Sequence, residues 1–252
     1  MWFSSSLLEK LSRFTSEVFA TEGSPPVIRI NCDCEISSNL YWTGPSPIFL
    51  IPPRLAVIQG GHSYTRDHPF VRALSEGPVA LEQFYRDNAP AGLAEMYKIP
   101  AKGLAGENLP PWELPWLTRT RRPPSAETWF GINHGISYYG PCSPKKMELE
   151  HQRLTSLARK IRARSYLPDK FGYIEGHFLR YGGKFRFFIR GGKHRAAVLT
   201  YLGYDRIPVR VRKSWPRVIE AGRENEWPLV ASGEIDVNLA TQIFSSYFRI
   251  EC

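Results

Sequence analysis

The most informative stretch of the chain is a short turn that could bind a phosphate group. Its residues are Gly191-Gly192-Lys193-His194-Arg195, here called the glycine turn, and they lie between a strand-like run and an alanine- and leucine-rich run. A tight strand-to-helix turn leaves the first N–H groups of the helix without intrahelical partners, at the positive end of the helix dipole. Glycine lets an anion approach that backbone closely, and the lysine, histidine and arginine add donors. The spacing predicts a phosphate site, with a plain turn carrying solvated basic residues as the alternative.

Two familiar phosphate motifs do not fit this turn. The Walker loop needs four residues between its first glycine and the Gly-Lys pair, followed by Ser or Thr. The dinucleotide fingerprint needs a third glycine that this stretch lacks. A different kind of phosphate site is therefore expected.

The residues around the turn predict the elements that position it. Leu154, Leu157, Ala158 and Ile161 recur at helical spacing, and Ser143-Pro144 is a suitable helix start. Residues 185–190 and 207–212 alternate as strands, and the run between the glycine turn and Gly203 is typical of a helix. The predicted order is helix, strand, glycine turn, helix, strand.

This order resembles the ParB/sulfiredoxin superfamily over residues 143–213, on the strength of the glycine turn and of Ile207-Pro208-Val209. The resemblance implies a small α+β domain with a mixed sheet, whose Gly-Gly-x-His-Arg turn binds the phosphates of ATP or CTP. It assigns Gly191, Gly192, His194 and Arg195 to phosphate binding, with Lys193 beside them. Members hydrolyse CTP, phosphorylate a sulfinic acid with ATP or phosphorylate free serine.

Two departures from the superfamily narrow what the resemblance implies. Lys193 stands where sulfiredoxins carry their essential cysteine, so the sulfiredoxin reaction is excluded. The chromosome-partition proteins continue into a helix-turn-helix domain, and the roughly forty residues after Val211 leave little room for one.

Phosphoryl transfer needs bound phosphates, usually Mg²⁺, and a group that takes the acceptor's proton. Glu150 lies near the position where the serine-phosphorylating relatives carry an acidic residue, and Glu175 is a second candidate base. His194 is a candidate phosphate ligand or acid. The alternative for Glu150 is a first-turn glutamate that complements the helix dipole. The sequence does not identify which residues would bind the metal.

A second polar cluster, between Gly60 and Pro69, could bind the acceptor. His62, Arg66 and His68 lie there ahead of a predicted helix. The favoured alternative is a helix start capped by Asp67.

Charge is distributed unevenly along the chain, which carries a formal net charge of +9. Residues 151–223 contain 18 Lys and Arg against 4 Asp and Glu, a net charge of +14, and the rest contains 15 against 20, a net charge of −5. Such a field favours a nucleotide or a nucleic-acid backbone as partner. Phe185, Phe187 and Phe188 could stack bases, although strand alternation predicts at least one of them in the core.

The remaining residues predict a cytoplasmic protein without a membrane span or a secretory signal. The four cysteines are too few for a disulfide scaffold, and Cys32 is interpreted as a strand residue. We expect an amphipathic helix over 1–20, strands over 26–33 and 47–58, a helix over 69–87 broken near Gly77-Pro78, and an ordered Pro- and Trp-rich arm over 90–124.

These patterns predict an α+β protein in two parts. Residues 1–140 form an N-terminal α+β extension with the acceptor loops, and 141–252 form the nucleotide-binding domain with a Trp- and Pro-rich tail. The leading hypothesis is a kinase-like phosphotransferase that acts on a small hydroxylated acceptor with a nucleoside triphosphate and Mg²⁺. The alternatives are a nucleic-acid-binding or nuclease-like protein, and a non-catalytic, nucleotide-gated interaction module.

Overall fold

A computed structural model of the chain describes residues 25–32, 40, 42, 46–119, 135, 136, 138–212 and 214–249. In these residues the protein is a mixed α and β structure built on one seven-stranded sheet with parallel and antiparallel pairs. The strands are β1 Val27–Arg29, β2 Ile48–Ile51, β3 Ala56–Val57, β4 Ile174–Tyr181, β5 Lys184–Gly191, β6 Ile207–Val211 and β7 Val218–Glu220.

The strand order joins both ends of the chain in one sheet. The order is β1-β2-β6-β4-β5-β3, and β7 pairs with β4 beyond the end of β6. A tight turn at Gly182 connects β4 to β5 as an antiparallel hairpin, and a bulge interrupts their pairing between Glu175 and Gly176. The bulge lies next to the glycine turn, because Glu175 pairs with Gly191. The two predicted parts of the chain therefore share a sheet.

Helices cover both faces of this sheet. They are α1 Pro69–Glu76, α2 Val79–Asp87, α3 Leu93–Met96, α4 Pro144–Arg164, α5 Pro168–Phe171, α6 Lys193–Tyr201, α7 Pro228–Ala231 and α8 Val237–Ser246. Local chemistry sets their starts: the Ser143 hydroxyl accepts from the Lys146 N–H at 3.1 Å at the start of α4, and Asp236 caps α8 in the same way.

Two hydrophobic cores lie on opposite faces of the sheet, as strand alternation requires. Phe178 and Phe187 belong to the core beneath α1, α2, α4 and α6. Their neighbours Leu179 and Phe188 belong to the core formed with the arm over residues 93–117 and with α7 and α8. Each strand of the β4–β5 hairpin is therefore buried on both sides.

Trp116 is the centre of the second core. Its ring makes edge contacts with Phe188, Trp227, Phe244 and Tyr247, with centroids 5.5 to 6.0 Å apart. Its indole Nε1–H donates to Nε2 of the buried His177 at 3.1 Å, which satisfies the one polar atom that the tryptophan brings into the core. The arm is ordered over its described part because its aromatic residues are buried.

Most predicted elements are confirmed where the structure describes them. The Ser143-Pro144 helix start and the break of the 69–87 helix at Gly77-Pro78 are both present. The prolines at 52 and 53 separate β2 from β3, as expected. The helix predicted over 1–20 lies outside the described residues.

Three expectations were wrong. All three phenylalanines at 185, 187 and 188 are buried, so they do not form a base-stacking surface. The C-terminal residues form β7, α7 and α8 rather than a tail. Cys32 lies beyond the end of β1 and takes part in a disulfide bond.

Trp116→Ala should lower the free energy of unfolding by about 3–5 kcal/mol, because it removes a large buried side chain and leaves the His177 ring nitrogen without its donor. Urea unfolding followed by circular dichroism measures this loss. Val79→Ala is the control, since Val79 is among the few exposed large hydrophobic residues. Equal stability of the two variants would contradict the central position of Trp116.

Candidate active site

The glycine turn connects the end of β5 to the start of α6. Gly192 has φ +88° and ψ 21°, a left-handed conformation that favours glycine. A Cβ at Gly192 would lie 2.9 Å from Arg195 Nε and 3.0 Å from Ile174 Cα, so a side chain there would also lack space. Within the described residues no side chain caps α6. The turn therefore has the backbone geometry of an anion site.

Arg195 turns back toward the protein. Its guanidinium donates to the carbonyl of Phe171, the last residue of α5. The same group packs over Gly172 and Gly192, where a Cβ would collide with it. The arginine predicted to bind phosphate thus fastens the start of α6 to the end of α5 through at least one of its nitrogens.

His194 is held by a carboxylate from a different helix. Its Nε2 lies 2.5 Å from Oε2 of Glu150 on α4. The Glu150 side chain is fully buried, in the second turn of α4, and is not a solvated first-turn residue that complements the dipole. Glu148, two residues earlier, is exposed and accepts from Gln152. The structure therefore brings together two of the three predicted catalytic residues.

Cationic side chains surround the Glu150 carboxylate. Lys146 Nζ and an Arg153 nitrogen each lie 3.2 Å from its Oε1. Burial by itself would raise the pKa of Glu150, but the charge of Lys193, the hydrogen bond to His194 and the charge of Lys146 together lower this pKa well below its ordinary value. The carboxylate is ionised at neutral pH.

At His194 the effect of burial is larger than the effect of the neighbouring charges, and the imidazole is neutral. Burial lowers the pKa of His194 by more than the hydrogen bond and charge of Glu150 raise it. An ionised carboxylate accepts, so the neutral ring must carry its proton on Nε2. Within the described residues, Nδ1 makes no hydrogen bond. The ring therefore presents a basic lone pair beside the glycine turn.

Aromatic rings cover the other side of this pair. The Phe70 ring on α1 lies parallel to the His194 ring, with centroids 5.4 Å apart. The ammonium of Lys193 lies 4.7 Å from the centre of the Tyr138 ring and 5.8 Å from that of Phe70. These contacts hold the lysine near the turn and limit the access of water to the Glu150–His194 pair.

Glu175 borders the strand end of the turn, whereas Glu150 contacts its helical end. A Cβ at Gly191 would lie 3.9 Å from Oε2 of Glu175. Arginine nitrogens of Arg210 and Arg212 lie 3.7 and 3.6 Å from the Glu175 carboxylate. The arginines offset its charge, which would otherwise repel a phosphate on the turn.

Further arginines beside the turn lie over aromatic rings. Arg190 and Arg212 lie 4.3 and 4.8 Å from the centre of the Trp215 ring. Arg210 lies 4.5 Å from the centre of the Tyr173 ring. The strand ends next to Gly191 are thus rich in positioned guanidinium groups, which can bind two oxygens of a carboxylate or a phosphate at once.

The predicted acceptor loop is divided between the interior and the surface. The buried His68, rather than Asp67, caps α1, because its Nδ1 accepts from the Phe70 N–H at 3.1 Å. His62 packs edge-on against Phe84, and Arg66 is exposed. Burial and the charge of Lys98 lower the pKa of His62 to about 4, so it is neutral at pH 7.

A cavity of about 180 Å³ adjoins the strand side of the glycine turn. We call it the Trp112 cavity, and its walls contain Gln59, Trp112, Glu113, Leu114, Leu117, Thr118, Tyr138, Phe188, Ile189 and Arg190. Tyr138 belongs both to this wall and to the surroundings of Lys193. The cavity and the turn are therefore parts of one region.

The carboxylates beside the turn do not fit the role of Mg²⁺ ligands. Mg²⁺ prefers carboxylate and phosphate oxygens that are not already paired with cations. Glu150 and Glu175 both have cationic partners. In the described part of the chain, no cluster of three or more His, Cys, Asp or Glu residues could hold a metal.

Comparisons of the chain with protein-family models, with curated proteins and with solved structures found no match. None of the helices in the described ranges has both the length and the apolar character needed to cross a bilayer.

Several site residues were missed from the sequence. Gln59, Glu113 and Trp112 are far from the glycine turn in the chain, and no local pattern connects them with it. Trp215 had a weak signal, since it follows the arginine-bearing strand by a few residues. Tyr138 lies more than fifty residues before the glycine turn, and no spacing in the sequence connects it with the turn.

Stability should fall as the pH drops from 6.5 toward 4. The partly buried His62 and the fully buried His177 have pKa values of about 4 and about 3, the latter lowered by burial and then by Arg190. In the unfolded chain both titrate near 6.5, so between these values the unfolded state binds protons that the folded state does not. Each histidine then contributes about 1.4 kcal/mol of lost stability per pH unit.

Urea unfolding between pH 8 and pH 4 measures this slope. His177→Gln should reduce the dependence of the unfolding free energy on pH by about 1.4 kcal/mol per pH unit, because glutamine does not titrate. An unchanged slope would show that His177 is not a buried neutral group.

Proposed function

We propose that the protein transfers the terminal phosphate of a nucleoside triphosphate to a hydroxyl group of a small acceptor. The observation that carries this proposal is the hydrogen bond between Glu150 and His194. It gives the histidine of the glycine turn a fixed ring orientation and a free basic nitrogen. An arrangement of carboxylate, neutral histidine and nearby acceptor is a general-base system.

The surroundings of the turn support phosphate binding. Helix α6 supplies N–H groups at its start, and Gly192 removes any side chain that would cover them. Lys193 lies over the Tyr138 ring, and Arg190 and Arg212 lie over the Trp215 ring. Together these groups supply the positive charge that a triphosphate requires.

In the proposed step the acceptor oxygen attacks the terminal phosphorus, and a new P–O bond forms. The bond between that phosphorus and the bridging oxygen breaks, and its electron pair stays on the departing diphosphate. The acceptor's proton moves to His194 Nδ1, and the ionised Glu150 stabilises the imidazolium that results. Glu150 acts through the histidine and is therefore a positioning residue. The role of Glu175 stays a prediction.

The ParB/sulfiredoxin resemblance supports the same reading, because it implies phosphate binding at Gly191, Gly192 and His194. We include in the proposal that residues 143–213 have the fold of this superfamily. The helix, hairpin, glycine turn, helix and strand of the described residues follow the expected order. No step of the proposed reaction depends on Mg²⁺.

A nucleic-acid-binding function is the second candidate. The positioned arginines over Trp215 and Tyr173 favour it, because such groups contact a phosphate backbone as readily as a nucleotide. Binding of that kind falls steeply with salt and shows no preference among mononucleotides. An electrophoretic shift with DNA and RNA, without nucleotide turnover, would favour it over the kinase.

His194→Gln should reduce nucleotide turnover by about 10²- to 10⁴-fold, because it removes the general base. The measurement is the release of nucleoside diphosphate from ATP, CTP and GTP. It is made with and without Mg²⁺ and with pooled hydroxylated metabolites as acceptors.

Glu150→Gln should reduce turnover less than His194→Gln does, and free imidazole should restore part of the turnover of His194→Ala. The rate of the wild-type protein should fall at low pH with an apparent pKa below 6.5.

His151→Gln is the matched control, because His151 lies on α4 outside the site. Circular dichroism of each variant separates loss of folding from loss of chemistry. Turnover that survives in folded His194→Gln, or imidazole that restores nothing, would refute the assigned base. Loss of turnover in Glu175→Gln alone would show that Glu175, and not His194, is the general base.

A further inference from the structure

Arg190 is a partly buried cation without an anionic partner in the described part of the chain. Its guanidinium lies 4.3 Å from the centre of the Trp215 ring, and with the described residues it makes neither a hydrogen bond nor an ion pair. Arg212, over the same ring, has the Glu175 carboxylate 3.6 Å away. Taking a guanidinium partly out of water without an anion costs free energy. Arg190 therefore has N–H donors for a ligand.

The electrostatics of Arg190 also favour a bound anion. Burial lowers the pKa of Arg190, the Tyr138 hydroxyl raises it in part, and the charge of Arg212 lowers it again. An arginine nevertheless stays protonated in a protein. A bound anion would offset the effects of burial and of the Arg212 charge.

The Trp112 cavity lies beside this guanidinium. Arg190 belongs to the cavity wall, and its charge acts on the hydroxyl of Tyr138, another wall residue, whose pKa it lowers against the effect of burial. Strand alternation places the Arg190 side chain on the same face of β5 as Phe188, which is the face that the arm over residues 93–117 covers. The donors of Arg190 are thus on the cavity side of the sheet.

The size and walls of the cavity suit a small apolar group. Leu114, Leu117 and Ile189 supply aliphatic surface. The volume is about 180 Å³, and an apolar cavity of about 150 Å³ holds one benzene ring. A ligand with a single ring, or with a branched chain of that size, fits this space.

Glu113 sets the orientation of such a ligand. Its charge acts on Tyr139, whose pKa it helps to raise, whereas the charges that act on Arg190 are those of Tyr138 and Arg212. An anionic group is therefore favoured at the Arg190 end of the cavity and disfavoured near Glu113.

We propose that the Trp112 cavity binds a small monocarboxylic acid, with the carboxylate on Arg190 and the apolar body against Leu114 and Leu117. Two N–H groups of a guanidinium match the two oxygens of a carboxylate. One guanidinium without a partner balances one negative charge, and a phosphate monoester would bring a second charge while Arg212 is already paired with Glu175. The site requires neither a nucleotide nor the Glu150–His194 pair, so it goes beyond the proposed function.

NMR titrations of the full chain, without nucleotide, test the two parts of the ligand separately. Benzoate should bind at least about tenfold more tightly than benzamide, its neutral counterpart of the same shape, because only benzoate pairs with the guanidinium. Benzoate should also bind at least about tenfold more tightly than acetate, which lacks the ring. Phenyl phosphate should bind no better than benzoate.

A variant pair locates the carboxylate at Arg190. Arg190→Met keeps a long apolar side chain and should bind benzoate and benzamide with similar affinity. Arg86→Met, the same change at an exposed position of α2, should keep the wild-type preference. If Arg190→Met fails to fold, the comparison of the four probes on the wild-type chain decides the matter.

The outcomes separate this proposal from the proposed function. Equal affinity for benzoate and benzamide, no binding of benzoate, or a preference for benzoate that survives in Arg190→Met would each overturn the acid site. Tighter binding of phenyl phosphate would overturn the carboxylate as ligand class. None of these results concerns nucleotide turnover at the glycine turn, and a chain that prefers benzoate but turns over no nucleotide would refute the proposed function alone.

Discussion

The buried carboxylate of Glu150 is the interaction on which the site depends. Taking an ion out of water costs several kcal/mol unless charged and hydrogen-bonding partners surround it. Lys146 and Arg153 from the same helix and His194 from α6 provide these partners. Because His194 belongs to the glycine turn, the hydrogen bond that it gives to this buried carboxylate links α4 to α6 and fixes where the turn lies.

The Glu150 carboxylate also orients the His194 ring relative to the other groups around the turn. With Glu150 holding Nε2, the ring of His194 stacks on Phe70 and keeps its second nitrogen available. Phe70 follows the buried His68 cap of α1, so the predicted acceptor loop supports the site through packing. The arginines at the strand end of the turn complete the positive field, and Tyr138 connects that field with the Trp112 cavity.

The sequence predicted the features that short-range chemistry decides. A serine before a proline begins α4, and a glycine pair after a strand begins α6, because these residues suit those backbone positions. The helix α8 was missed although Asp236, Leu239, Ile243 and Phe244 have the required cap and spacing. The Trp and Pro residues near α8 led to the prediction of a tail in place of this helix.

Other errors have a tertiary cause. Strand alternation predicted only that at least one phenylalanine of β5 is buried, but the arm over 93–117 and the C-terminal helices cover the second face and bury Phe188 as well. Arg195 has the sequence position of a phosphate-binding residue, yet its guanidinium donates to the carbonyl of Phe171 at the end of α5. Contacts between residues tens of positions apart leave no periodic signal in the chain.

The order of strands also governs when the fold can form. Residues 27–57 supply both flanks of the sheet, β1 with β2 on one side and β3 on the other, whereas residues 174–211 supply its middle. A ribosome makes the flanks long before the middle strands that must insert between them. Until residue 211 has been synthesised the early strands have exposed edges, which makes the nascent chain a candidate for chaperone binding and for slow, late collapse.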